Sequence, residues 1–489
     1  MSHVAHAGTR SAPRRAIDWV TSRPQAVGAA VVGAAFLGGS TFVILNVRSV
    51  KYLVGFAVIA AGLSTFLALR DRHAFLLTAA GFSLPFFVRL PLIERDRESL
   101  VLTGVSLVTL ALGAVVLGIR PDRRPKPDLA LPITVPALLY LGVSCFSLVN
   151  TMDLTLSLLA FVRDAEMILL FLILLNSIWR REHLVQFLRG LYFAFGVECV
   201  IYGIQNVLGF SFDVLGNTKI VGATDVEARY IGSQRGTFDS APSVAALYFS
   251  LMALSLIGLY LSRRRLPVRF PPAIGVIMGI SCLALAAKRA PLAGFVLGLL
   301  VMFGLLARHA PGAIRRLGPA LMAVAVPVVA FAPVLLLRAD ANHEAAYAER
   351  MNLTRVAWEM WEAHPIAGVG FGTYDSVKRA YLPEDWSGWL YTVHNNYLMV
   401  LAETGAVGFV FLVVFYLAVL RTAYRGIRQI DPDWRPLQIG LVAGFVAMFW
   451  EMYWDIFNGR QQLYMFWFLL ALAVLLPRIL REPAPSVPA

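Results

Sequence analysis

The chain has 489 residues, 58% of them hydrophobic and 15% charged, with a net charge of +13. A soluble domain carries about 25% charged residues, so this chain lacks the polar surface that a soluble core of its length would need. That excludes a cytosolic enzyme and leaves no nucleic acid among the expected partners. Apolar runs of about 20 residues recur along the whole chain and imply an all-α polytopic membrane protein. An outer-membrane barrel would alternate polar and apolar residues in segments of about ten.

In chain order, residues 1–25 form a basic tail with Arg10, Arg14, Arg15 and Arg23. The run behind it is longer than a signal-peptide core and reads as a retained first span. About fourteen (12–14) transmembrane helices are expected. They fall at 26–46, 50–69, 74–93, 99–119, 130–150, 155–178, 184–208, 239–261, 271–287, 290–307, 319–337, 396–420, 437–455 and 461–477. This divides the chain into N-terminal spans (26–208), a first long loop (209–238), further spans (239–337), a second long loop (338–395), C-terminal spans (396–477) and a tail (478–489). An even number of spans puts both termini on one side. The basic connections at Arg70/Arg72, Arg120–Lys126, Arg180/Arg181, Arg263–Arg265 and Arg421–Arg435 make that side cytoplasmic, with both long loops extracytoplasmic. Cys145, Cys199 and Cys282 all lie in apolar runs and offer neither a disulfide framework nor metal spacing.

The second long loop carries structure of its own. Asn352–Ala363 reads as a helix with Val356, Met360 and Ala363 on one stripe, stopped at His364-Pro365. Trp358, Trp361, Trp386 and Trp389 suit a helix and loop resting at the membrane interface. Gly368, Gly370 and Gly372 resemble a phosphate-binding loop at first sight. No strand precedes them and no helix follows directly, so a tight turn back to the membrane is the better reading.

His394 stands at the outer mouth of span 396–420, followed by Asn395 and Asn396. It reads either as a helix cap or as a general base, since an imidazole suits proton removal from a sugar hydroxyl. Ionisable residues in and beside membrane segments default to functional hypotheses. Arg235 closes the first long loop, and Lys288 and Arg289 sit in an outer turn. Arg163 lies within a span beside Asp164 and Glu166, with Glu166 the better-placed ion-pair partner at i,i+3. Guanidinium groups collected beside an outer cavity would bind a diphosphate through paired phosphate oxygens, and no metal or other cofactor is then required. One DxD triplet, Asp431-Pro432-Asp433, falls on the opposite, inner face and reads as a solvated turn.

Taken together, these segments resemble the O-antigen ligase family, whose superfamily includes the O-antigen and other surface-polysaccharide polymerases. The matching features are Lys288-Arg289-Ala290 before an apolar span, and Arg355 and Trp358 leading into Pro365, Gly368, Gly370 and Gly372. His394-Asn395 with Gly405 completes them, and Arg235-Gly236-Thr237-Phe238 looks like the family's segment upstream. The resemblance covers about 230–415. It implies a bacterial inner-membrane, multi-spanning (GT-C-like) glycosyltransferase that uses glycans on undecaprenyl diphosphate, without metal, on the periplasmic side. It further implies His394 as base; Arg235, Arg289, Lys288 and Arg163 as diphosphate ligands; and Asn395, Gly405 and Arg355 as loop support. The acceptor would be a lipid A core for a ligase, or another glycan for a polymerase. The chain departs from the family in its span count, about fourteen against about twelve, and in Pro242 standing where a Pro-Asn pair is common. A lipid-linked-oligosaccharide flippase is the competing class, since many spans around a basic cavity also suit transport.

The charge asymmetry fixes a first expected outcome. A reporter active only in the cytoplasm, fused after Ala339, should stay silent; a signal there would move His394 to the wrong side for this reaction.

Overall fold

The computed structural model describes residues 69, 71–86, 89–95, 98–119, 125–207, 235–238, 242–264, 266–267, 270–316, 318, 343–382, 386 and 392–481. The expected spans 26–46, 50–69 and 319–337, the tail 1–25 and most of the first long loop lie outside them. The chain divides into two units, 1–75 and 76–489, and the elements below belong to the second apart from the first residues of α1.

Helix α1 (Arg72–Ser83) is followed by an antiparallel hairpin, β1 (Arg89–Arg95) with β2 (Glu98–Thr103), whose register slips between Pro91 and Ile93. The expected spans 74–93 and 99–119 are therefore not continuous helices, and the hairpin is the one sheet among the described residues. For 74–93, Pro85 and Pro91 supply the reason: a helix interior tolerates neither the missing N–H nor the ring; 99–119 has no proline and loses its first residues to β2, the partner of β1. Helix α2 (Gly104–Gly118) starts on Thr103, whose hydroxyl oxygen accepts the Ser106 N–H at 3.0 Å.

Helix α3 (Leu131–Ser144) runs into a 3₁₀ turn (Cys145–Asn150), and α4 (Leu154–Ser177) is capped by Asp153. Then come α5 (Arg181–Val207), α6 (Pro242–Leu261), α7 (Pro272–Ala286) and α8 (Arg289–His309). Helices α9 (His343–Ala363), α10 (Asn396–Gln429), α11 (Arg435–Trp454) and α12 (Arg460–Ile479) follow, and single helical turns lie at Pro311–Ile314 and Tyr374–Val377. Among the described residues, seven helical segments are long and apolar enough to cross a membrane. They coincide with seven of the expected spans. Helix α4 is long enough but carries Arg163, Asp164 and Glu166, and α7 has only 15 residues.

Two sequence expectations shift. Helix α9 starts well before Asn352, and its buried stripe is Leu353, Val356, Ala357 and Met360, with Ala363 exposed in the last turn. Helix α10 runs on to Gln429, so Arg421, Arg425 and Arg428 are helical and the link to α11 shrinks to Ile430–Trp434.

Helix α6 is buried almost throughout. A Cβ on Gly258 would press on Pro436 O, and one on Gly440 on Leu254 O, so α6 and α11 run antiparallel with backbones close. Gly294 against Ala447 and Gly298 against Ala443 set α8 antiparallel to α11 in the same way. The Tyr397 hydroxyl donates to Phe449 O at 2.9 Å and Gln438 Nε2 to Ala423 O at 2.9 Å, which does the same for α10. The first residues of α6, α8 and α10 therefore gather where α11 ends, and α12 starts there after a short turn.

Helix α10 is broken at Gly405 (φ 64°, ψ −173°). The loop after α9 lies along the break and takes over its hydrogen bonds. Val369 N–H donates to Ala402 O and Gly370 N–H to Glu403 O, both at 3.0 Å. In return Ala406 N–H donates to Pro365 O at 2.8 Å and Val407 N–H to Ile366 O at 3.4 Å. The Asn150 amide holds Gly368 O at 2.9 Å, and the Ser147 hydroxyl oxygen accepts Phe371 N–H at 2.9 Å. The three loop glycines all have positive φ and touch three different elements: Gly368 the break itself, Gly370 Thr151, and Gly372 Ala160 of α4.

Gly405 occupies a backbone region open essentially to glycine alone, and a Cβ there would collide with the Ile366 carbonyl. Gly405→Ala should therefore destabilise the protein by at least about 1–3 kcal/mol, read as a lower melting temperature in detergent. Unchanged melting would show that the break can close into ordinary helix.

Candidate active site

Helix α10 begins with His394, Asn395 and Asn396 held in three different ways. Asn395 is the cap, its Oδ1 accepting the Leu398 N–H at 3.0 Å. His394 is therefore not the capping residue. Asn396 is buried and its Oδ1 accepts the Phe457 N–H at 3.2 Å. His394 Nδ1 lies 3.0 Å from Asp455 Oδ1, and its side chain keeps 30% of its surface exposed. An ionised carboxylate accepts from Nδ1–H, which makes Nε2 the basic nitrogen. The turn 455–458, between α11 and α12, thus fastens both polar residues at the mouth of α10.

Asp455 was not singled out in the sequence, where it reads as the last residue of span 437–455. The available signal was an acid ending an apolar run just before Asn458-Gly459. Burial alone would push its carboxyl up. The hydrogen bond and charge of His394, the Ser243 hydroxyl and the Ile456 N–H outweigh burial and hold it below the ordinary carboxylate range. Ser243 comes from the first turn of α6, so three helix ends converge on this carboxylate.

The basic residues occupy the same end. Lys288 is the N-cap of α8 and Arg289 its first residue, exposed, after a left-handed Ala287 closes α7. Arg235 precedes α6 and is half-buried. Helices α6, α8, α10 and α12 also bring their N-termini here. Each contributes the partial positive charge of its unsatisfied N–H groups, which favours an anion.

Arg163 is arranged differently from the expectation. Its Nε pairs with Asp164 Oδ1 at 3.0 Å, at i,i+1, while Glu166 pairs instead with Arg460 and takes a hydrogen bond from Ser106. Arg460 reaches Glu166 from the start of α12, and so leaves Arg163 to its neighbour. Arg163 and Asp164 line a cavity of ≈ 80 Å³ together with Tyr140, Asn396, Glu403 and Asn458. That volume suits a few waters rather than a sugar. Arg355 is exposed on the face of α9 away from its buried stripe, which packs on Val369, Val393 and Met399.

Most of the glycine loop's donors are engaged. Besides the bonds to α10 and Ser147, Gly368 N–H donates to His364 O, Thr373 N–H to Gly370 O and Tyr374 N–H to Glu403 Oε1. It is a packed turn, as its sequence suggested. The DxD triplet is a turn too, at the start of α11 and so about 30 Å along the helix from Asp455. It is not solvated. Asp431 is buried, caps the turn through the Asp433 N–H at 2.8 Å, and meets Arg264 Nη1 at 3.3 Å. Arg264 Nε also binds Asp433 at 3.0 Å, so a guanidinium already sits where this pattern would place a metal.

Residues 242–413 match the family model described as O-antigen ligase, about a third of the chain. That segment is similar to the O-antigen ligase family. It opens on the first residue of α6 and ends within α10, so it contains Lys288, Arg289, Arg355, the glycine loop, His394, Asn395 and Gly405. The resemblance to the O-antigen ligase and polymerase superfamily, reached from the sequence, is supported by this match over 242–413. Arg235 lies just before the matched segment, and Asp455 lies beyond it. No curated protein matches the chain.

The His394–Asp455 pair makes a pH-dependent expectation. A carboxyl held below its ordinary value stabilises the fold fully above about pH 3.9, and this contribution fades as pH falls through the lower folded value. Asp455→Asn should melt below wild type at neutral pH and converge with it in acid. Activity at neutral pH should fall by about 10²–10⁴-fold, the range for losing an oriented base. Equal melting across the whole range would mean that the pair does not form.

Proposed function

We propose that this protein transfers a glycan from undecaprenyl diphosphate to an acceptor hydroxyl on the periplasmic face of the bacterial inner membrane, with lipid A core as the ligase acceptor. The observation that carries this reading is the 3.0 Å His394–Asp455 contact at the mouth of α10, at the same helix ends as Arg235, Lys288 and Arg289. The O-antigen ligase segment supports the same chemistry.

In this scheme the acceptor hydroxyl gives its proton to His394 Nε2 as its oxygen attacks the anomeric carbon of the donor. The bond from that carbon to the diphosphate oxygen breaks, and its electron pair leaves with undecaprenyl diphosphate. Attack in line with the leaving group inverts the anomeric centre. Asp455 holds the imidazole in the basic tautomer and balances the charge it acquires. Arg235, Arg289 and Lys288, with the assembled helix N-termini, offset the charge that grows on the diphosphate. Water excluded at the membrane surface strengthens these contacts. Arginine forks do the work that a divalent cation does elsewhere, so the reaction is metal-independent.

The test uses purified protein with a lipid-diphosphate-linked glycan and two acceptors, lipid A core and a second glycan. His394→Ala should lower transfer by about 10²–10⁴-fold while undecaprenyl diphosphate still binds, and wild-type turnover should persist in chelator. Product on the second glycan alone would make the protein a polymerase. Folded His394→Ala protein with near-normal turnover would remove the mechanism and favour a transporter.

A further inference from the structure

Glu198 lies in α5, an apolar helix long enough to cross the membrane, and has no exposed surface. An ionisable side chain in such a place is expensive. Both of its oxygens are turned on one residue: Oε1 accepts the Thr237 N–H at 3.0 Å, and Oε2 lies 2.6 Å from the Thr237 hydroxyl. That hydroxyl also reaches Pro85 O at 2.9 Å. A hydroxyl has one proton to give and can accept as well. Both contacts are satisfied together when Thr237 donates to Pro85 O and a protonated Glu198 donates to Thr237.

Two turns further along α5, Gln205 grips the neighbouring residue. Its Oε1 accepts the Gly236 N–H at 2.8 Å and its Nε2 donates to Gly236 O at 3.3 Å. Gly236 has φ +66°, and a Cβ there would run into Glu198 Oε1. Phe238 is buried against Tyr248, with ring centroids 5.3 Å apart. The three residues after Arg235 are thus fixed through backbone and side chain by α5 and α6, and the Arg235 backbone is fixed with them.

We propose that Glu198 and Gln205 are positioning residues for Arg235: they clamp Gly236 and Thr237 so that the guanidinium is presented to the donor diphosphate. The proposal rests on the reading of Arg235 given above. The clamp needs hydrogen-bonding shape, not negative charge. Glutamine at 198 can reproduce it, its amide N–H donating to Thr237 and its carbonyl oxygen accepting the Thr237 N–H.

The experiment measures binding of undecaprenyl diphosphate, which carries no glycan, to the purified full chain in detergent, with melting recorded for every variant. Arg235→Ala should weaken binding about ten-fold or more, in line with losing a hydrogen bond to a charged group. Glu198→Ala and Gln205→Ala should do the same. Glu198→Ala combined with Arg235→Ala should bind no worse than Arg235→Ala alone, because both act through one contact. Glu198→Gln should restore binding. Should Glu198→Ala fail to fold, Thr237→Val, which removes only the hydroxyl link, takes its place with the same expectation. Folded Glu198→Ala or Thr237→Val that binds like wild type, while Arg235→Ala binds weakly, overturns the clamp and leaves the reading of Arg235 standing. Normal binding by Arg235→Ala overturns that reading and the clamp with it. Weakened binding by Glu198→Gln would show that charge, not shape, is what α5 supplies.

Discussion

A helix within a membrane cannot simply stop, because each freed N–H and C=O must find a partner away from water. The break of α10 at Gly405 meets that demand by borrowing a second strand of backbone. Residues 365–370 and 402–407 exchange hydrogen bonds across the break. The order of the neighbourhood follows from this. The loop is anchored on one side to the break and on the other to the 3₁₀ turn after α3 and to α4. The short helical piece of α10 before the break is thereby held at a set height, with His394 at its mouth.

Around that fixed point, acids and bases are divided between the two ends of the helices. At the α11 start, Arg263 and Arg264 are matched by Asp431 and Asp433. At the α11 finish, Asp455 is matched by an imidazole, and the N-termini of four helices add their partial charge. Arg163 and Arg460 do have acidic partners there. The end where α11 finishes is thus distinguished by four converging helix N-termini, whose partial positive charge favours an anion.

Much of this was legible in the sequence. Apolar length alone located seven spans, because a membrane helix must be about twenty apolar residues long. The same rule failed at 74–93, where hydropathy is high but Pro85 and Pro91 forbid a continuous helix, and at the start of 99–119, where residues up to Thr103 pair as β2. It also missed the continuation of α10, since Arg421, Arg425 and Arg428 read as loop charges while remaining helical. His394 stood out through its position, but Asp455 did not. Their meeting joins residues from opposite flanks of two antiparallel helices, and spacing along the chain carries no trace of it. The pairing of Arg163 was misjudged for a similar reason: Glu166 is the better neighbour on an isolated helix, and Arg460 claims it from another one.

The ladder at Gly405 also ties a knot-free noose in the chain. Val369 and Gly370 are bonded to Ala402 and Glu403, so everything between them is a closed excursion from a fixed neck. The entropy of closing such an excursion grows only with the logarithm of its length, about 0.6 kcal/mol for each doubling. Residues inserted or removed between Leu382 and Thr392 would lengthen or shorten that excursion while the neck stays where it is. The length of the segment between Leu382 and Thr392 can thus change at little entropic cost without moving the break or the helix start that follows it.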